Sequence, residues 1–202
     1  MIALSQPSLT PDDYLRLEAD SPTKHEYIDG EMFAMAGASD GHVTIAGNLF
    51  ALLRSHVRGR GCRVYIADMK AHLEARNCFY YPDILVTCDP RDAETSTYKR
   101  FPKLIVEVLS NSTEAFDRGD KFTDYQSLDS LEEYVLINTR HQRVECLRRT
   151  PDNLWLLQTY SPETETFELK SLQFTDTLAA LYEDVDLTPP QAEGGGAAMV
   201  EP

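Results

Sequence analysis

Residues 102–113 read PKLIVEVLSNST, and how they fold decides what must surround them. The run is short and β-branched, opens at Pro102 and closes at Ser110-Asn111-Ser112, so it reads as a strand buried on both faces. Glu107 interrupts it, with Leu104-Ile105-Val106 before and Val108-Leu109 after. A carboxylate there carries a heavy desolvation penalty unless a cation, a metal or several hydrogen bonds compensate. A strand-end ion pair with an arginine is the plain alternative.

Upstream of this strand, CRVYIADMKAHL (62–73) and FYYPDILVTCD (79–89) read as two further strands with no long helix between them. Before them, SDGHVTIAGNLFALLRSHVRG (39–59) is a helix: Val43, Ala46, Leu49, Phe50, Leu53 and Val57 fall at helical spacing, and Gly59 and Gly61 end it. SLTPDDYLRLEAD (8–20) starts a helix with Thr10 as cap and Pro11 in the first turn. HEYIDGEMFAMA (25–36) reads as a hairpin turning at Asp29-Gly30. Downstream, STEAFDRGDKFTDYQSL (112–128) returns to helix, weakened by Gly119, and EEYVLINTR (132–140) is another apolar strand. QRVECLRRT, NLWLLQTYS and TFELKSL follow as an antiparallel meander, and TDTLAALYEDV (175–185) as a short helix. The order predicts an α/β or α+β domain, a mixed central sheet flanked by helices, over 1–187. Residues 188–202 form a tail too rich in Gly, Pro and Ala to pack.

The 202 residues carry a formal charge of −14, which argues against a protein that simply coats nucleic acid. The charge is uneven. Residues 151–202 hold one basic and ten acidic groups, leaving 18 basic and 23 acidic groups in the first 150. Arg54, Arg58 and Arg60, and later Lys99 and Arg100, form local clusters able to hold phosphates; solvated surface cations are the plainer reading of each. No apolar run approaches the roughly 20 residues that span a bilayer, and the first residues lack a signal-peptide pattern. Four cysteines without metal-ligand spacing imply reduced thiols in a cytoplasmic protein.

Asp83 follows Pro82 and precedes Ile84-Leu85-Val86, where its strand enters the core, and Glu107 lies near the end of the next strand. If those strands pair, two carboxylates converge, and without a cation one would stay protonated near neutral pH. Hard oxygen ligands of this kind suit magnesium, or manganese in its place. Asp83 as a strand-edge turn aspartate is the alternative.

A Pro-Asp on one strand and an acid on the next, within this order of elements, resembles the restriction-endonuclease-like PD-(D/E)XK nucleases. KHEYIDGEM, GHVTIAGNL, VYIADMKAHL, YPDILVTCD, PKLIVEVLS, DKFTDYQSL and EEYVLIN occur in the order of the Uma-two-type family, long catalogued as a domain of unknown function and regarded as nucleases of this fold. The likeness spans about residues 8–186. It implies a metal-dependent endonuclease acting on nucleic acid, DNA above all, with Asp83 and Glu107 as metal ligands. The alternative is a catalytically silent nucleic-acid- or protein-binding module that keeps the fold.

The chain departs from the superfamily in one respect. Leu109 stands where the pattern has a lysine two residues after the acid, and Lys121, on the following helix, is the replacement candidate. It shares a stripe with Asp117 and Tyr125 at a spacing of four. His42, Asp68, Glu31 and Tyr125 are possible accessory groups. His42 also reads as a capping-region residue, and Glu26 and Glu31 as turn and surface acids. Apolar residues of the meander (Val144, Leu154, Leu156 and Leu157) suggest a twofold homodimer.

Overall fold

The computed structural model describes residues 8–187; the tail from 188 onward lies outside the described residues. Two mixed sheets divide the work. The larger runs β11-β10-β9-β8-β6-β3, where β3 is Arg63–Ile66, β6 Ile84–Thr87, β8 Pro102–Leu109, β9 Glu133–Asn138, β10 Val144–Arg149 and β11 Trp155–Tyr160. Within it β8 and β9 are parallel and the other neighbours antiparallel. The smaller runs β2-β1-β5-β4-β7, with β1 His25–Ile28, β2 Glu31–Ala34, β4 Lys70–Leu73, β5 Cys78–Tyr80 and β7 Tyr98–Lys99. A hairpin of β12 (Thr166–Leu169) and β13 (Phe174–Thr177) stands apart.

β8 is buried on both faces. Val106 and Val108 join a core under helix α2 (Asp40–His56), while Ile105 and Leu109 join a second core with Tyr125, Leu131 and Tyr134. Glu107 shares the side of Ile105 and Leu109, because side chains alternate along a strand. Over that side lies the helix of 114–125, built of α3 (Glu114–Phe116), a π-turn at Asp117–Lys121 around Gly119, and α4 (Phe122–Tyr125). Single π-turns recur at functional sites.

The segments 62–73 and 79–89 are not single strands. Each breaks and serves both sheets: β3 and β4 part at Ala67-Asp68-Met69, β5 and β6 at Tyr81-Pro82-Asp83. Ala67 takes positive φ, Pro82 has no N–H to continue a ladder, and the Ala67 N–H donates to the Asp83 carbonyl at 3.0 Å, tying the two corners together. The sheets part there, and between them lies a cleft of about 1080 Å³.

The hairpin turn has φ of 47° at Asp29 and 97° at Gly30, both positive as a type I′ turn requires. A Cβ at Gly30 would also fall 2.5 Å from the Ser8 Cβ, so only glycine fits. The cysteines correct the expectation of reduced thiols. Cys62 and Cys88 extend the Arg63–Thr87 pair by one step, face each other across β3 and β6 with Cα atoms 4.0 Å apart, and are disulfide-bonded. Cys78 and Cys146 are buried free thiols. Among the described residues no helix is long and apolar enough to cross a membrane.

Candidate active site

The β6–β8 register pairs Ile84 with Val106, so Asp83, one residue before β6 begins, lies beside Glu107. The ladder gives way to side chains at that point. The Val108 N–H donates to Asp83 Oδ2 at 2.7 Å, and the Asp83 N–H approaches Glu107 Oε2 at 3.4 Å. His42, in the first turn of α2, brings Nε2 to 2.8 Å from Asp83 Oδ1, while its Nδ1 is buried without a hydrogen-bond partner.

Across the cleft the helix supplies a cation. Lys121 Nζ lies 3.2 Å from Glu107 Oε1, 3.0 Å from Glu26 Oε1 and 3.5 Å from Asp117 Oδ1, with its side chain only 7% exposed. The Tyr125 hydroxyl donates to Glu107 Oε1 at 3.1 Å, and the Tyr81 N–H to Glu26 Oε1 at 3.2 Å. Glu26, Asp83, Glu107 and Asp117 therefore surround one ammonium and one imidazole.

The electrostatics follow from that imbalance. Burial drives the Glu107 pKa well above the ordinary carboxylate range, Lys121 opposes the rise, and the charges of Asp117, Asp83 and Glu26 add to it. Asp117 is raised by burial too, again against Lys121. Burial works against the charge of Lys121, but Glu107, Glu26 and Asp117 outweigh it, and its pKa rises. Lys121 is thus held as an ammonium, a donor and a charge rather than a base. His42 is pulled down by burial, yet its hydrogen bond to Asp83 and the Asp83 and Asp117 charges raise it overall.

Not every residue singled out in the sequence meets here. Asp68 is exposed and ion-paired with Lys24 at the cleft rim, and Glu31 is exposed at the start of β2. Arg54 lies in the last turn of α2, on the order of 18 Å along the axis from His42 at 1.5 Å per residue, and Arg58 and Arg60 follow beyond its end. Lys99 corrects its reading as a surface cation: it is buried, and its ammonium donates to the carbonyls of Asp92 and Thr95. Arg100 pairs with Glu94 at 3.3 Å, away from the cluster.

Glu26 and Asp117 are the acids that the sequence undervalued. The signal for Glu26 was strand parity: Tyr27 turns into the core of Tyr14 and Phe79, so Glu26 must face the other way. Asp117 lies one helical step before Lys121 and was visible only as that lysine's neighbour.

Among the described residues, no group of three or more His, Cys, Asp or Glu is arranged to hold a metal by itself. The donor chemistry nevertheless suits a cation that takes one or two carboxylates and completes its shell with water. Among the described residues Glu107 Oε2 has only the long contact from the Asp83 N–H, and carboxylate oxygens each accept more than one bond. Four clustered acids against one ammonium also leave negative charge that a divalent cation would balance.

The larger mixed sheet carries paired acids at the β6–β8 corner with a lysine over them. The chain belongs to the Uma2 family, whose model, described as "Putative restriction endonuclease", matches residues 11–180. An uncharacterized protein of Synechocystis sp. is 36% identical over 176 residues, covering 87% of this chain and 92% of that protein. A second from the same organism is 32% identical over 175 residues, covering 86% and 99%. A crystal structure from Anabaena variabilis, described as a putative nuclease of a domain-of-unknown-function family, matches with a TM-score of 0.71 over 86% of this chain and 97% of that one. Its sequence is 16% identical, so that likeness speaks for the fold alone.

Proposed function

We propose that this protein is a metal-dependent endonuclease that hydrolyses phosphodiester bonds of nucleic acid at Asp83, Glu107 and Lys121. The observation that carries the reading is the Lys121 ammonium 3.2 Å from Glu107, which supplies from the helix what Leu109 lacks on the strand. Asp83 and Glu107 would hold a magnesium or manganese ion, which supplies a Lewis acid for a phosphoryl oxygen and lowers the pKa of a bound water. The residues around them set the geometry. The Val108 N–H and His42 fix the two oxygens of Asp83, and Tyr125 fixes Glu107. Tyr125 is fully buried and its pKa is pushed well up by that burial and by Glu107, so it stays a donor. Lys121, charged and gripped on three sides, orients the attacking water or meets negative charge growing on the phosphorus oxygens.

Thermal melting with divalent metal tests this reading. The parent protein is expected to gain on the order of 2.7 kcal/mol at a metal concentration 100 times Kd, or roughly 5–10 °C for a chain of this size. Asp83→Asn keeps volume and an acceptor for the Val108 N–H but removes the charge. It is expected to lose both the metal-dependent rise and cleavage. A parent protein that neither shifts with millimolar magnesium or manganese nor cuts would leave the silent binding module as the better account.

The assembly we infer is a twofold homodimer through β11. Val144 is fully buried and contributes nothing to an interface, but Leu154, Leu156 and Leu157 are 63%, 62% and 58% exposed, on and beside the outermost strand of the larger sheet. Trp155–Tyr160 contains none of the lysine or proline that usually blunts an edge strand. Light scattering at micromolar concentration should give twice the chain mass, and Leu156→Lys with Leu157→Lys should give the single mass; a monomeric parent refutes the dimer.

A further inference from the structure

One side chain on the cleft wall has no role in the chemistry above. Phe33 is 46% exposed, belongs to none of the buried clusters, and sits on β2, the edge of the smaller sheet, so no further strand covers it. Its position relative to the acids is fixed by register. Phe33 is the direct partner of Glu26 in the β1–β2 pair. Directly opposed residues in an antiparallel pair project from the same face, with Cβ atoms about 4.5–5.5 Å apart. The Glu26 carboxylate ends 3.0 Å from Lys121 Nζ. An exposed aromatic ring therefore stands one strand outward from the ammonium, lining the same cleft, and Ala34, Met35 and Ala36 continue that wall as apolar surface.

The cations of the cleft speak to what the ring could meet. Among the described residues that line it, Lys24, Lys121 and Arg140 are basic, and each is already paired: Lys24 with Asp68, Arg140 with Glu114 at 2.9 Å, Lys121 with its three acids. Those pairings leave little free positive charge for a phosphate backbone of either kind, duplex or single strand, so the exposed ring is the feature that discriminates. Single strands add to backbone contacts the stacking of unpaired bases on aromatic side chains, which tolerates any sequence because every base has a π-face; a duplex keeps those faces stacked inside.

We propose that Phe33 is a base-stacking platform and that the cleft takes single-stranded nucleic acid. One base lies on the Phe33 ring while the adjoining phosphodiester reaches the Glu26–Lys121 side of the site. The proposal rests on the nuclease reading for the role of that phosphodiester, but not for the stacking itself. It names the chemistry shared by DNA and RNA single strands, a base beside a phosphodiester, and leaves the sugar to experiment.

The test is fluorescence anisotropy with oligothymidylate, oligouridylate and a dT·dA duplex of equal length, with calcium replacing magnesium to slow cleavage. Phe33→Ala and Phe33→Leu should weaken single-strand binding on the order of 5- to 150-fold, the span of a lost base–aromatic stack. Phe33→Trp should retain it, since the larger ring stacks as well. Leucine keeps the apolar bulk of the position, so a loss in Phe33→Leu is not a folding defect, and unchanged melting temperatures of the variants check this. Preference for the thymidylate, for the uridylate, or for neither supports the platform and assigns the sugar. Parent-like binding by Phe33→Leu, or duplex bound as tightly as single strand, overturns it. The two readings fail separately. Phe33-dependent binding by a parent that never cleaves keeps the platform and removes the nuclease; cleavage with Phe33-independent binding does the reverse.

Discussion

Exchanging Lys121 for methionine is expected to lower cleavage about 10²–10³-fold, the usual loss when one preorganised donor to developing charge is removed. The metal-dependent rise in melting temperature should persist in the same variant. The separation follows from the chemistry of the groups. An ammonium cannot ligate a metal, whereas Asp83 and Glu107 can, so the two variants Lys121→Met and Asp83→Asn should fail in different ways. Methionine keeps the unbranched stem but loses the ammonium that sits over the Tyr80 and Phe116 rings. What is lost is the single cation between Glu26, Glu107 and Asp117. Those three acids are then left to protons or to the metal, and metal binding should hold or tighten. Cleavage at the parent rate by Lys121→Met would show that the ammonium is structural, and the site would then need another group to do its work.

The position of that lysine was legible because the helix that leaves β8 folds back over the sheet, and helical spacing put Asp117, Lys121 and Tyr125 on one stripe. The π-turn at Asp117–Lys121 alters the helix locally, yet Lys121 and Tyr125 still meet the same oxygen of Glu107. The strand pair was legible as well: β8 reads as doubly buried from its apolar run alone, and Pro82 marks where β6 begins. The second sheet was not. Ala67-Asp68-Met69 carries no Gly or Pro to announce a corner, and the positive φ at Ala67 comes with a bond to the Asp83 carbonyl across the fold. With the corner hidden, the partners of Glu26 were hidden too, because they depend on which sheet β1 joins. Lys99 misled for a related reason. A basic residue in a run with Arg100 and Lys103 reads as surface, and only the turn at residues 92–95 reveals the carbonyls that accept its hydrogen bonds. The Cys62–Cys88 bond likewise needs the β3–β6 register, which joins residues 26 apart.

A large effect on stability is also expected far from the cleft, at Arg148. Glu133 opens β9 with its side chain fully buried. Arg148 Nε donates to Glu133 Oε1 at 2.7 Å, and the Ser171 N–H and hydroxyl donate to Oε2 at 3.1 and 2.8 Å. The same guanidinium reaches the Tyr160 hydroxyl at 2.8 Å and the Glu168 carbonyl at 2.5 Å. One side chain thus joins β9, β10 and β11 to the β12–β13 hairpin. Burial works against its charge, but the bonds to Tyr160 and Glu133 outweigh that and raise its pKa, so the cation is present at any pH where the fold exists. Arg148→Met strands a buried carboxylate with only Ser171 to solvate it. Breaking a buried pair from one side typically costs about 3–5 kcal/mol, or roughly 6–20 °C in melting temperature here. Adding Glu133→Gln to Arg148→Met removes the stranded charge and should recover a good part of that loss, since replacing both partners of a buried pair is often close to neutral. Urea denaturation of the two variants measures the difference directly. A loss below about 1 kcal/mol in Arg148→Met would place the pair with surface ion pairs, and Ser171 alone would then suffice to hold Glu133.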